Sequence, residues 1–119
     1  MNEVKIGYKV VKNIDGKLIS GSVDKGSVEY ARGIMTKPRL FTGPLTVFTS
    51  KFLAIGFIAT LSDANRPIAE VHKCNYETTS CASVFRVKNC MIDSKPLSEL
   101  PHGTALAKNV TLTGLTFKS

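Results

Sequence analysis

"GPLTVFTSKFLAIGFIATL", Gly43 to Leu61, sets the architecture of this chain. Gly43-Pro44 is turn chemistry. Leu45 to Phe48 is a short apolar run, read as a buried strand. Thr49 or Ser50 can then cap a helix by accepting a bond from a backbone N–H two or three residues on. The helix is expected from about Lys51 to Leu61. Its apolar positions nearly encircle it, which predicts a buried helix. Gly56 in its middle costs about 1 kcal/mol of helix propensity against Ala, which suggests close packing against a strand. "SDANRP", Ser62 to Pro67, ends the helix.

Outward from this unit, both flanks read as strands. Val4, Ile6, Tyr8 and Val10 alternate with Lys5, Gly7, Lys9 and Val11, which predicts a strand with its lysines toward solvent. Asp15-Gly16 tolerates positive φ and predicts a hairpin returning over Leu18 to Val23. Val28 to Ile34 is a short strand or irregular segment with Tyr30 inward. "TKPRLFTGP", Thr36 to Pro44, is a long loop of the kind that often carries function. Ile68 to Tyr76 and Ser83 to Ile92 read as two more strands. Asp93 to Gly103 is a loop with one helical turn near Leu97 to Leu100. A closing strand follows, with Val110, Leu112 and Phe117 on one face. The expected fold class is α+β: a mostly antiparallel β-sheet of about six to eight short strands packed around one main helix. Strand spacings are too short for repeated βαβ units.

The 119 residues fit one domain, 1–119, large enough to fold without staples. Hydrophobic residues make up 43% and charged residues 21%, which argues against disorder. The longest apolar stretch, Phe52 to Leu61, is far short of a membrane span, and the charged N-terminus lacks a signal-peptide core. The protein is therefore expected to be soluble and cytoplasmic, with no membrane partner. Cys74, Cys81 and Cys90 form neither a disulfide framework nor a C-x-x-C metal motif, and are read as reduced thiols.

The net charge is +7, and no Asp or Glu occurs between Tyr30 and Ser62. Arg32, Lys37, Arg39 and Lys51 lie in that stretch. The charge serves either solubility or attraction of an anionic partner: nucleic acid, an acidic protein surface or a phosphate ligand. Tyr30 and Phe41 beside it would allow stacking next to phosphate contacts, or else pack as core aromatics. Glu70, His72 and Cys74 share one face of a strand and imitate a thiol catalytic set, although i,i+2 strand neighbours reach hydrogen-bond contact only with difficulty. His102 lies in a turn and is expected to be exposed. The chain contains no Walker loop, G-x-G-x-x-G, H-E-x-x-H or G-x-S-x-G motif. No catalytic residue, cofactor or metal site is assigned on the first reading.

The layout "GYKVV…DGKLIS…VEYARG…GPLTVFTSKFLAIGF…IAEVHKC…LPHGTALAKNVTL" resembles small uncharacterised proteins found in phages and their bacterial hosts. It shares a "YKV" strand, a "GPL-VF" strand followed by an "A-x-x-F" helix, an "E-V-x-x-C" strand and a late "GT-L-A" strand. More remotely, the middle is similar to the core of ADP-ribosyltransferases, where a strand ending in "F-x-S" leads into a helix that helps hold NAD. That second resemblance would place NAD at Thr49, Ser50 and Lys51, with Glu70 as a late acid. The first strand lacks the Arg or His of that pattern. The leading expectation is a small basic, phage-like interaction module without enzymatic activity. It would bind a host protein or nucleic acid in the host cytoplasm through Arg32, Lys37, Arg39, Lys51 and Tyr30. The alternative is an ADP-ribosyltransferase-like or degenerate NAD-binding domain.

Overall fold

The computed structural model describes residues 3–20, 28–38, 42–81, 83–88 and 91–118. In chain order these form β1 (Val4–Ile14), β2 (Lys17–Ser20), β3 (Glu29–Tyr30), β4 (Thr42–Gly43), β5 (Leu45–Phe48), the helix α1 (Lys51–Ala59), β6 (Ala69–Thr78), β7 (Ser83–Lys88), β8 (Met91–Pro96) and β9 (Thr104–Lys118). The fold is mostly antiparallel sheet with one α-helix, as expected, but the described residues hold nine strands rather than six to eight. The excess arises in two places. The strand expected over 83–92 is two, because β7 pairs antiparallel with β8 from Ser83 opposite Pro96 to Lys88 opposite Met91. The expected long loop contains β4, whose Gly43 pairs with Phe85 of β7. Leu97–Glu99 is a 3₁₀ turn, where one helical turn was expected.

One sheet runs β3-β2-β1-β5-β9-β6, and β6 pairs with β1 again. Strands β1, β5, β9 and β6 therefore close a ring. β1 makes this possible by its length. One edge pairs with β6 from Val4 to Lys12, and the other pairs first with β5 at Tyr8 and then with β2 from Val11 to Ile14. The β1–β2 hairpin turns at Asp15 and Gly16, both at positive φ, as the Asp-Gly pair predicts. A second, three-stranded sheet has the order β4-β7-β8.

Closing the ring gives it an inside and an outside. The inner cluster holds Val11, Tyr30, Leu45, Val47, Cys74, Tyr76, Val110 and Leu112. The outer cluster holds Val10, Phe48, Ala54, Ile58, Ala69 and Val71, with Phe117 packed against it. Phe117 lies five residues beyond Leu112, an odd number, so strand alternation sets it on the face opposite Val110 and Leu112. Register shifts fall between Val71 and His72 and between Lys73 and Cys74. The extra residues, Thr113 and Thr116, donate their hydroxyls to the carbonyls of Lys73 and Val71 at 3.0 Å. Each bulge reverses the alternation once, so the two together leave inner Leu112 and outer Phe117 on opposite faces.

Helix α1 lies on the outside of the ring rather than at its centre, against β1, β5 and β6. Only Ala54 and Ile58 are buried, and Phe52 is 81% exposed, so the expectation of an encircled helix is corrected. Gly56 is exposed, and a Cβ there would meet nothing within 4 Å, so close packing does not explain it. Ser50 takes the N-cap position but makes no side-chain cap bond. The Thr49 hydroxyl donates to the Gly103 carbonyl instead, at 3.2 Å, and the Thr49 N–H bonds the same oxygen at 2.9 Å. Gly103 has φ +83°, and a Cβ there would clash with Leu53. This glycine lets the turn before β9 close on the start of the helix.

Candidate functional site

The exposed charge of the expected basic segment is held by β9. Beyond β5, the free edge of β9 receives the stretch 33–36. The Gly33 N–H bonds Leu112 O at 2.9 Å, the Thr36 N–H bonds Val110 O at 2.8 Å, and the Val110 N–H returns to Thr36 O at 2.9 Å. Lys37 follows this bridge directly and comes to one cleft with Lys108 of β9. The cleft has a volume of about 360 Å³ and is lined by Lys37, Pro38, Gly43, Pro44, Thr79, Cys81 and Lys108. Among the described residues, no carboxylate lines it. Lys108 was not among the sequence candidates. Its only signal is alternation in "ALAKNV", where the buried Leu106, Ala107 and Asn109 leave Lys108 facing out.

Arg32 and Lys51 are exposed, as is Lys37. Arg39, Phe41 and Cys90 lie outside the described residues. Tyr30 does not belong to this surface. It is 2% exposed, inside the ring, with the Lys9 ammonium 5.5 Å from its ring centroid.

A second cleft, also of about 360 Å³, opens at the other end of β5. Its walls are Phe48, Phe52, Leu53, Gly56, Phe57 and Thr60, with Pro101 and His102 facing them. The Phe48 and Phe57 rings pack at 5.4 Å between centroids. His102 is exposed, as its turn predicts. The clefts are separated by the length of β5, roughly 10 Å at about 3.4 Å per residue.

The ring interior holds the polar groups that a strand pattern would place outside. Lys9 was expected in solvent but is 1% exposed. Its Nζ donates to the Thr46 carbonyl at 2.7 Å and lies 3.4 Å from the Thr46 hydroxyl. Glu70 and His72 are 4% and 2% exposed, and His72 Nε2 meets Glu70 Oε1 at 2.9 Å. Contact between these i,i+2 neighbours therefore does occur. Asn13 Nδ2 donates to the other Glu70 oxygen at 3.1 Å. Burial pushes the Glu70 carboxyl up, but the His72 and Asn13 hydrogen bonds, with the charges of His72 and Lys118, outweigh it and hold the carboxyl below its ordinary value. Among the described residues, His72 Nδ1 has no hydrogen-bond partner. Cys74 faces the same interior, and burial pushes its thiol up to about 11, against the charge of Lys9 and a bond to the Gly7 backbone. A thiol so protonated is no nucleophile at neutral pH.

The groups of the NAD-holding alternative do not converge. Phe48, just before Thr49 and Ser50, lies opposite Tyr8, whereas Glu70 lies opposite Val11 on the other edge of β1. Among the described residues, no group of three His, Cys, Asp or Glu side chains is placed to hold a metal ion. No helix among them is long and apolar enough to cross a membrane. No protein-family model, curated protein or solved structure matches this chain.

The cysteines offer a direct check on the ring. Cys81 is exposed and Cys74 is fully buried, and both are free. Iodoacetamide at neutral pH is expected to label Cys81 readily and to spare Cys74 until denaturant is added, read by peptide mass mapping. Equal labelling of both in the native protein would show that the ring interior is open.

Proposed function

We propose that this protein is a small basic interaction module without enzymatic activity, which binds an anionic partner, a host protein or nucleic acid. The observation that carries this reading is the convergence of Lys37 and Lys108 on one cleft that, among the described residues, no carboxylate lines. Two unopposed cations on a recessed surface focus potential more than the same charges scattered. Arg32, on the same segment that β9 holds, and the exposed Lys51 extend the charge, and Arg39 follows Lys37 in sequence. The likeness to phage and host proteins supports a setting in a bacterial cytoplasm. The NAD-holding reading has less support, because the Thr49 hydroxyl is engaged with Gly103 and Glu70 is engaged with His72 and Asn13.

The test is capture of partners from bacterial lysate by the tagged protein, with and without nuclease, at two salt concentrations. Lys37→Glu/Lys108→Glu is expected to lose the captured partner while its melting temperature stays within a few degrees of wild type, since both side chains are exposed. A protein band that survives nuclease identifies a protein target, whereas nucleic acid lost steeply with salt identifies phosphate-dominated binding. Undiminished capture by the variant would overturn the reading.

A further inference from the structure

We infer that the aromatic cleft between α1 and the turn at Pro101-His102 takes an unstacked base of a single-stranded nucleic acid, with the neighbouring phosphates on Lys51 and the cationic surface beyond. This rests on the anionic-partner reading and names the partner. Three phenylalanines, Phe48, Phe52 and Phe57, wall the cleft, with His102 facing them. Phe52 is 81% exposed, which leaves nearly the whole ring open to a ligand. An isolated exposed apolar residue needs no explanation, but one standing at the mouth of an aromatic cleft marks a binding surface.

Gly56 is the second observation. Glycine weakens the middle of a helix. Here neither a turn nor close packing requires it, because an added Cβ would meet nothing within 4 Å. What its missing side chain does is keep the cleft open beside Phe52 and Phe57.

Charge selects the occupant. The chain carries +7, and Lys51 sits in the first turn of α1, where acidic residues are absent. The first N–H groups of a helix lack intrahelical partners, and Ser50 makes no side-chain cap bond to them. A cationic or neutral ligand gains nothing from these features. An acidic peptide matches the charge but offers the cleft a ring only where its sequence supplies one. A single strand matches both features, because each nucleotide offers a π-face for the rings and a phosphate for the cations. The cleft at Lys37 and Lys108, toward the other end of β5, offers further cations to phosphates.

The experiment is fluorescence anisotropy with a labelled oligothymidylate of about twelve nucleotides, titrated at several salt concentrations. Phe52→Ala is expected to weaken binding between about fivefold and 150-fold, the loss of one stacked base, without changing the slope of log K against log salt. Gly56→Leu is expected to weaken it comparably by filling the cleft, with Phe52 still present. Lys37→Glu/Lys108→Glu is expected to flatten the salt slope instead. A blunt duplex of the same sequence content should show no Phe52 effect, since its bases stay stacked. If Phe52→Ala and Gly56→Leu bind like wild type while the lysine variant does not, the base site is overturned and the anionic-partner reading stands. The same holds if the wild type ignores the oligonucleotide yet captures a nuclease-resistant protein. A Phe52-dependent affinity for polyglutamate equal to that for the oligonucleotide would also overturn it, in favour of an acidic peptide.

Discussion

Glu70→Ala is expected to destabilise the protein by about 3 kcal/mol at neutral pH, the scale for removing one partner of a buried pair. The Glu70 carboxylate receives bonds from both His72 and Asn13, so its loss strands the buried His72 and the half-buried Asn13. The pH dependence follows from its lowered pKa. The folded carboxyl titrates below its ordinary value of 4.5. Its contribution is therefore complete above that value and is lost as pH falls through the folded one. Urea unfolding of wild type should weaken across this acid range, and Glu70→Gln should flatten that part of the profile. A profile unchanged in Glu70→Gln would show that the cluster is solvated.

Lys9→Ala is expected to cost about 4 kcal/mol. The loss combines a cavity from a fully buried four-carbon stem, worth about 2–3 kcal/mol, with a charged hydrogen bond to Thr46, worth about 1.5–3 kcal/mol. Lys9→Met, which fills the same space, should lose less than half of that, since buried charge is often replaced by apolar volume at small cost. A surface lysine would give a change within about 0.5 kcal/mol for both variants. That outcome, in denaturant titrations, would place Lys9 outside the ring and contradict its closure.

These two residues also show where sequence reading stops. The alternation over Val4 to Val11 predicts a strand correctly. It assigns the faces wrongly: the set with Lys9 and Val11 turns into the ring, and the set with Val4 and Ile6 turns outward, where Val10 is buried in the cluster with α1. Val4 and Ile6, expected inside, are 67% and 58% exposed, while Lys9 is buried. The Asp15-Gly16 turn, β5, α1 and β6 were legible because local chemistry fixes each of them. The β7–β8 hairpin was not, because no Gly or Pro marks a turn between Lys88 and Met91, and the bulges of β9 were not, because partners far away in the chain determine them.

The candidate surface was legible only in part. The gap in acidic residues pointed to Arg32, Lys37 and Lys51, and all three are exposed. Lys108, distant in sequence, reaches Lys37 only through the Thr36–Val110 bridge. Tyr30 lies inward, as the reading of 28–34 expected, and is therefore not available to the contact surface to which it was also assigned. Phe52 looked like core because the helix is apolar nearly all round, yet a helix on the outside of a ring has only one face to bury.

The most direct measurement is lysate capture with two charge-reversal pairs compared side by side. One is Lys37→Glu/Lys108→Glu, in the cleft that both lysines line; the other is Lys73→Glu/Lys95→Glu, at exposed positions outside it. Both pairs remove the same charge. Loss of the captured partner in the first pair alone is the result predicted for a built anion-binding site. Equal loss, or equal retention, in both pairs would contradict it and reduce the charge to solubility.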